Sequence, residues 1–111
     1  MNVLSKEKVR RYAIEHLDVA NAILDLYDDM KAANWANAGE IKAFDPSATH
    51  VGNNRLVFNL LRNRYRLVAK INYSQVPVFT GQIFIRFIGT HAEYDRISDI
   101  ANLLITINRL L

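Results

Sequence analysis

The chain has 111 residues, of which 50% are hydrophobic and 23% charged, with no cysteine and a formal net charge of +3. That length suits one domain spanning residues 1–111, and the composition excludes wholesale disorder. Disulfides, zinc–thiolate sites, iron–sulfur clusters and cysteine nucleophiles are excluded too, and with no apolar run of ~20 residues and charge at Lys6-Glu7-Lys8 the expectation is a cytoplasmic protein without a membrane partner.

Ser5 can cap a first helix whose apolar stripe is Val9, Tyr12, Ala13 and Leu17. Asp18 can cap a second, in which Ile23, Leu26, Tyr27, Met30 and Ala33 continue a stripe of the same kind. The pair predicts a helical hairpin with one apolar and one charged face. Asn37-Ala38-Gly39-Glu40 has the N-cap-x-x-Glu pattern of a short third helix, which must stop before Pro46. From residue 50 the hydrophobic period becomes two, and strands are predicted near 49–52, 55–61, 64–73 and 82–89. Arg62-Asn63 would be a two-residue hairpin turn, and 74–81, with Pro77 and Gly81, a longer loop. Thr90-His91-Ala92-Glu93 is a capping box opening a terminal helix that carries Ile97, Ile100, Leu104, Ile107 and Leu111. Helices followed by an antiparallel sheet indicate an α+β fold.

Charge is divided unevenly. Residues 1–50 hold six Lys/Arg and eight Asp/Glu; residues 51–111 hold eight and three, and seven of those eight cations are arginine. A basic second half suits an anionic partner, and arginine suits bidentate phosphate contacts. Tyr65, Leu67, Ala69 and Ile71 form the apolar face of the third strand, and Arg64, Arg66, Val68, Lys70 and Asn72 the other. Arg64 has the pattern of a solvated edge arginine; Arg66 and Lys70 suit either solvent or an anion. In the last strand Ile83, Ile85 and Phe87 would share one face, and Phe84, Arg86 and Ile88 the other. Arg86 is that strand's one charge, costly to bury unless it pairs or meets a ligand. His91 and Tyr94, at i and i+3 of the terminal helix, share a face at a helix N-terminus. That place favours an anion and an imidazole able to accept a proton, although both side chains could equally pack at the junction. No metal-ligand spacing, phosphate-binding glycine loop or GxSxG motif occurs, so neither metal nor cofactor is expected.

The stretches Val51-Gly52-Asn53-Asn54-Arg55-Leu56-Val57-Phe58-Asn59, Asn63-Arg64-Tyr65-Arg66-Leu67-Val68-Ala69-Lys70-Ile71-Asn72-Tyr73 and Ile85-Arg86-Phe87-Ile88-Gly89-Thr90-His91-Ala92-Glu93-Tyr94-Asp95 resemble, as an ordered set, the HigB family of toxins in the RelE superfamily. The resemblance covers roughly residues 5–97. It departs at Arg62, where the family usually has glycine, and in the loop and tail. It implies a microbial-RNase-like α+β fold with a helical hairpin on a twisted sheet. It also implies an endoribonuclease toxin that cuts mRNA on the translating ribosome and is silenced by a helix-turn-helix, HigA-like antitoxin. The alternative is a non-catalytic RNA- or antitoxin-binding module. In the mechanism it implies, the RNA 2′-OH attacks the adjacent phosphate and leaves a 2′,3′-cyclic phosphate without a metal. Its implied catalytic set is His91, Arg86, Arg66, Lys70 and Tyr94, with the acid and base roles of His91 and Tyr94 left open. Arg55, Arg62, Asn63 and Arg64 are the expected RNA contacts.

Overall fold

The computed structural model describes residues 1–98. Strand β1 (Asn2–Leu4) is followed by α1 (Lys6–Glu15), α2 (Leu17–Ala32) and α3 (Ala38–Phe44). Then come β2 (Thr49–His50), β3 (Arg55–Leu60), β4 (Tyr65–Asn72), β5 (Gln82–Thr90) and α4 (His91–Asp95). The strands form one sheet in the order β1-β5-β4-β3-β2. It is antiparallel except at β1, which runs parallel to β5. The sheet is therefore mixed, which corrects the purely antiparallel expectation. Three residues are too few to show a period, so β1 was not visible as a strand.

The helical hairpin packs where the alternation predicts. Val9, Tyr12, Val19, Ile23, Leu26 and Met30 share a core with Leu56, Phe58, Leu60, Tyr65, Leu67, Ala69 and Ile71. Burial of this apolar surface is what holds the hairpin on the sheet. The Met1 ammonium donates to the carbonyls of Lys31 at 2.9 Å and Ala33 at 2.8 Å, satisfying the open C-terminal end of α2.

The predicted caps meet different outcomes. Asn37 Oδ1 accepts from the Glu40 amide at 3.0 Å, and α3 ends before Pro46 as expected. Ser5 occupies the N-cap position of α1 in a left-handed conformation (φ 77°) and makes no side-chain cap. His16, not Asp18, precedes α2; its ring stacks on Tyr12, with centroids 3.8 Å apart. Asp18 instead accepts from the Tyr65 hydroxyl at 2.9 Å. Leu17, expected in the α1 stripe, opens α2 and is exposed.

Two corrections concern the strands. Leu60 pairs with Tyr65, so the β3–β4 turn contains four residues rather than two. Leu61, Arg62 and Asn63 are all left-handed, with φ of 48°, 52° and 76°. In β5, Val68 pairs with Phe87 and Ala69 with Ile85, leaving Arg86 as the extra residue of a β-bulge. The bulge resets the alternation. Ile88 joins Ile83 and Ile85 in the helix-side core, and Phe87 turns to the opposite face with Val57 and Val68. Strict alternation had placed Phe87 and Ile88 the other way round.

Helix α4 ends at Asp95, with Arg96 as its C-cap. Ile97 lies beyond the helix and packs on Val57, Val68 and Phe87. The helix expected to run on from residue 91 thus ends at Asp95 among the described residues, and Ile100, Leu104, Ile107 and Leu111 lie outside them. Among the described residues, no helix is long and apolar enough to cross a membrane.

Candidate functional site

The face of the sheet opposite the helical hairpin carries the cations. Pairing sets Arg55 beside Lys70, which in turn faces Phe84, and sets Asn59 beside Arg66, which faces Gly89. Arg66 and Lys70 are four residues apart on one strand, so they stand about 13 Å apart along it. Between them lies the apolar cluster Val57, Val68 and Phe87, overlaid by Val51, Tyr94 and Ile97. The face is therefore divided into two cationic ends by an apolar ridge, rather than being one continuous basic surface.

At the α4 end, the Thr90 hydroxyl accepts from the Glu93 amide at 3.1 Å, and Glu93 accepts from the Thr90 amide at 2.8 Å. This is the capping box the spacing predicts. It fixes the direction in which β5 becomes α4. The His91 amide donates to the Arg64 carbonyl at 2.9 Å, binding the junction to the start of β4. His91 Nδ1 lies 3.1 Å from Asp95 Oδ2, one helical turn on. With Nδ1 directed at a carboxylate, Nε2 is the imidazole nitrogen left to a ligand. Asp95 stands outside the residues expected at the site and joins it through His91. The i, i+4 spacing was the available signal.

Arg66 projects to the same end. Its guanidinium carbon lies 4.8 Å from the centre of the Tyr94 ring, and Nη2 is 3.4 Å from Asn63 Oδ1. The pairing partner Gly89 has no side chain to occupy the adjacent space. A Cβ there would collide with the Phe87 ring and lie 2.8 Å from Glu93 Oε1. Gly89 thus lets Phe87 and the capping carboxylate lie close to the strand.

At the other end, Arg86 lies over the Phe84 ring, 5.1 Å from its centre. Burial, and to a lesser degree the charge of Arg55, lowers the Arg86 guanidinium pKa. Arg55 is 4% exposed and donates to the Asn53 carbonyl at 3.0 Å. The arrangement brings Arg86 to Arg55 and Arg66 to Tyr94, whereas the resemblance implied a single set of His91, Arg86, Arg66, Lys70 and Tyr94. Arg62, Asn63 and Arg64 are exposed at the β3–β4 turn, and Arg64 also stands 3.8 Å from Asp18. Among the described residues, no three His, Asp or Glu side chains converge as metal ligands would.

No curated protein matches the chain. The family model for HigB toxins, described as the RelE-like toxic component of a toxin–antitoxin system, matches residues 19–97. The helical hairpin on a five-stranded sheet is consistent with that match.

Proposed function

The chain belongs to the HigB toxin family of RelE-like toxic components of toxin–antitoxin systems, and from that premise we propose that residues 1–111 form one toxin domain acting as a metal-independent endoribonuclease on mRNA. The observation that carries this reading is the His91–Asp95 pair, at 3.1 Å, on α4, the short helix whose Tyr94 ring lies 4.8 Å from the Arg66 guanidinium carbon. Cleavage without a metal needs a base for the 2′-OH, cations for the phosphorane, and an acid for the departing 5′ oxygen.

In this reading Asp95 holds Nδ1 of His91, and Nε2 takes the 2′-OH proton. The oxygen freed of that proton attacks the adjacent phosphorus, and the bond to the 5′ oxygen breaks. The products are a 2′,3′-cyclic phosphate and a 5′-hydroxyl end. The proton then passes from His91, or from water, to the leaving 5′ oxygen. Arg66 stabilises the phosphorane, with Lys70 further along β4 and Arg86 on the neighbouring β5 holding charge beyond it. Arg62 and Arg64, exposed at the β3–β4 turn, border the path of the RNA, whereas Arg55, expected as an RNA contact, is buried and takes no part in that path.

The acting form is placed in the cytoplasm on ribosome-bound mRNA, and the silencing partner is a helix-turn-helix, HigA-like antitoxin whose acidic segment covers the cationic face. The test is induced expression in bacteria. Growth should arrest, and co-expression of the small antitoxin encoded beside the toxin should relieve the arrest. Full growth with high levels of folded wild-type protein would refute the toxin reading.

A further inference from the structure

Arg66 is a long, flexible side chain on an open strand face, yet its position is narrowly defined. Its Nε is buried and has no hydrogen-bond partner among the described residues. The backbone side of the guanidinium therefore does nothing to orient it. Orientation falls to two neighbours: the Tyr94 ring, 4.8 Å from the guanidinium carbon, and Asn63 Oδ1, 3.4 Å from Nη2. A cation over an aromatic face is held in a plane, and an amide oxygen at one edge fixes its rotation within that plane.

Both neighbours are themselves fixed. Tyr94 packs on Val57, Val68 and Phe87, and the capping box of Thr90 and Glu93 sets the helix that carries it. Asn63 closes a run of three left-handed residues, a conformation asparagine tolerates better than most side chains. That conformation brings the Asn63 amide back toward Arg66, three residues on.

We propose that Tyr94 and Asn63 are positioning residues for Arg66: Tyr94 contributes its ring, not its hydroxyl, and Asn63 acts on the guanidinium rather than on RNA. This rests on the reading of Arg66 as the phosphorane-stabilising cation. It removes Tyr94 from the candidate acids and withdraws the Arg66 side of its ring from base stacking. A cation held in place before substrate arrives needs no reorganisation when charge develops.

The test uses full-length protein, cleavage of a reporter mRNA on programmed ribosomes, and the Arg66 Nε–H resonance of ¹⁵N-labelled protein. Tyr94→Leu should lose about three- to thirty-fold in kcat, the range a cation–π contact supports, and Tyr94→Phe, which keeps the ring, should lose clearly less. Asn63→Gly, which keeps the backbone conformation, should lose activity, and Asn63→Asp should restore it. In an Arg66→Gln background, Tyr94→Leu should cost nothing more. The Arg66 resonance should carry a ring-current shift that Tyr94→Phe keeps and Tyr94→Leu abolishes. Tyr94→Trp keeps an aromatic face and separates loss of folding from loss of positioning.

Equal losses in Tyr94→Phe and Tyr94→Leu, additive losses with Arg66→Gln, or an Arg66 resonance unmoved by Tyr94→Leu would each overturn the proposal. If wild-type protein cleaves nothing while the resonance behaves as described, the ribonuclease reading fails and the positioning of Arg66 stands.

Discussion

Tyr12 shows how a single buried atom shapes this protein. It is fully buried, and its hydroxyl has no hydrogen-bond partner among the described residues. An unsatisfied buried hydroxyl costs about 1–3 kcal/mol, so Tyr12→Phe should raise stability by about 1 kcal/mol in denaturant titration. Burial foremost, then the negative charge of Glu93, pushes the Tyr12 pKa well above the ordinary phenol value. Tyr65 is raised too, by burial and then by its bond to Asp18. Both phenols bind their protons more tightly in the folded chain than in the unfolded one. Their contribution to stability is therefore complete below about pH 10, the unfolded value, and is lost as pH rises through the folded values. Melting temperature against pH should show a shallower alkaline decline for Tyr12→Phe. Thr90→Ala, which removes one half of the capping box, should cost about 1 kcal/mol. Its activity should fall only through the displaced junction, and melting and cleavage measured on one preparation separate the two effects.

At the scale of elements, the sequence was most legible where one period ran long. Leu17 apart, the α1 and α2 stripes and the Tyr65/Leu67/Ala69/Ile71 face stand where alternation and helical spacing put them. The box at Thr90–Glu93 was readable because both partners lie within four residues. The bulge at Arg86 was not, since one unpaired residue leaves no mark on composition yet exchanges the faces of Phe87 and Ile88. The site was half legible for the same reason. Local pattern marked His91, Tyr94, Arg66 and Lys70 as candidates without deciding between a site and packing or solvent, and the family resemblance joined them into one set; the pairing of Arg66 with Tyr94 and of Arg86 with Arg55 depends on strand register. The turn 61–64 escaped because three consecutive left-handed residues without glycine run against local preference. Arg62, at φ 52°, holds a left-handed conformation that glycine adopts without strain. Arg62→Gly should therefore stabilise the hairpin, by less than ~1 kcal/mol after the added flexibility of the unfolded chain is subtracted. Chemical denaturation of the two proteins side by side checks this, and a loss of stability would show that Arg62 makes contacts worth more than its strain.

At the scale of the whole molecule, the two halves of the chain divide the work. The net-acidic first half supplies the helical hairpin that closes one face of the sheet; the arginine-rich second half supplies the cations on the other. The claim that this second face cuts RNA is tested most directly by mapping mRNA ends after brief induction of wild-type protein and of His91→Ala. Wild type should produce new fragments with 5′-hydroxyl ends and cyclic or 3′ phosphates. His91→Ala, melting as wild type does, should reduce them by about 10²–10³-fold, the usual cost of a lost acid–base group. New ends bearing 5′ phosphates, or cleavage by His91→Ala within twofold of wild type, would contradict the account.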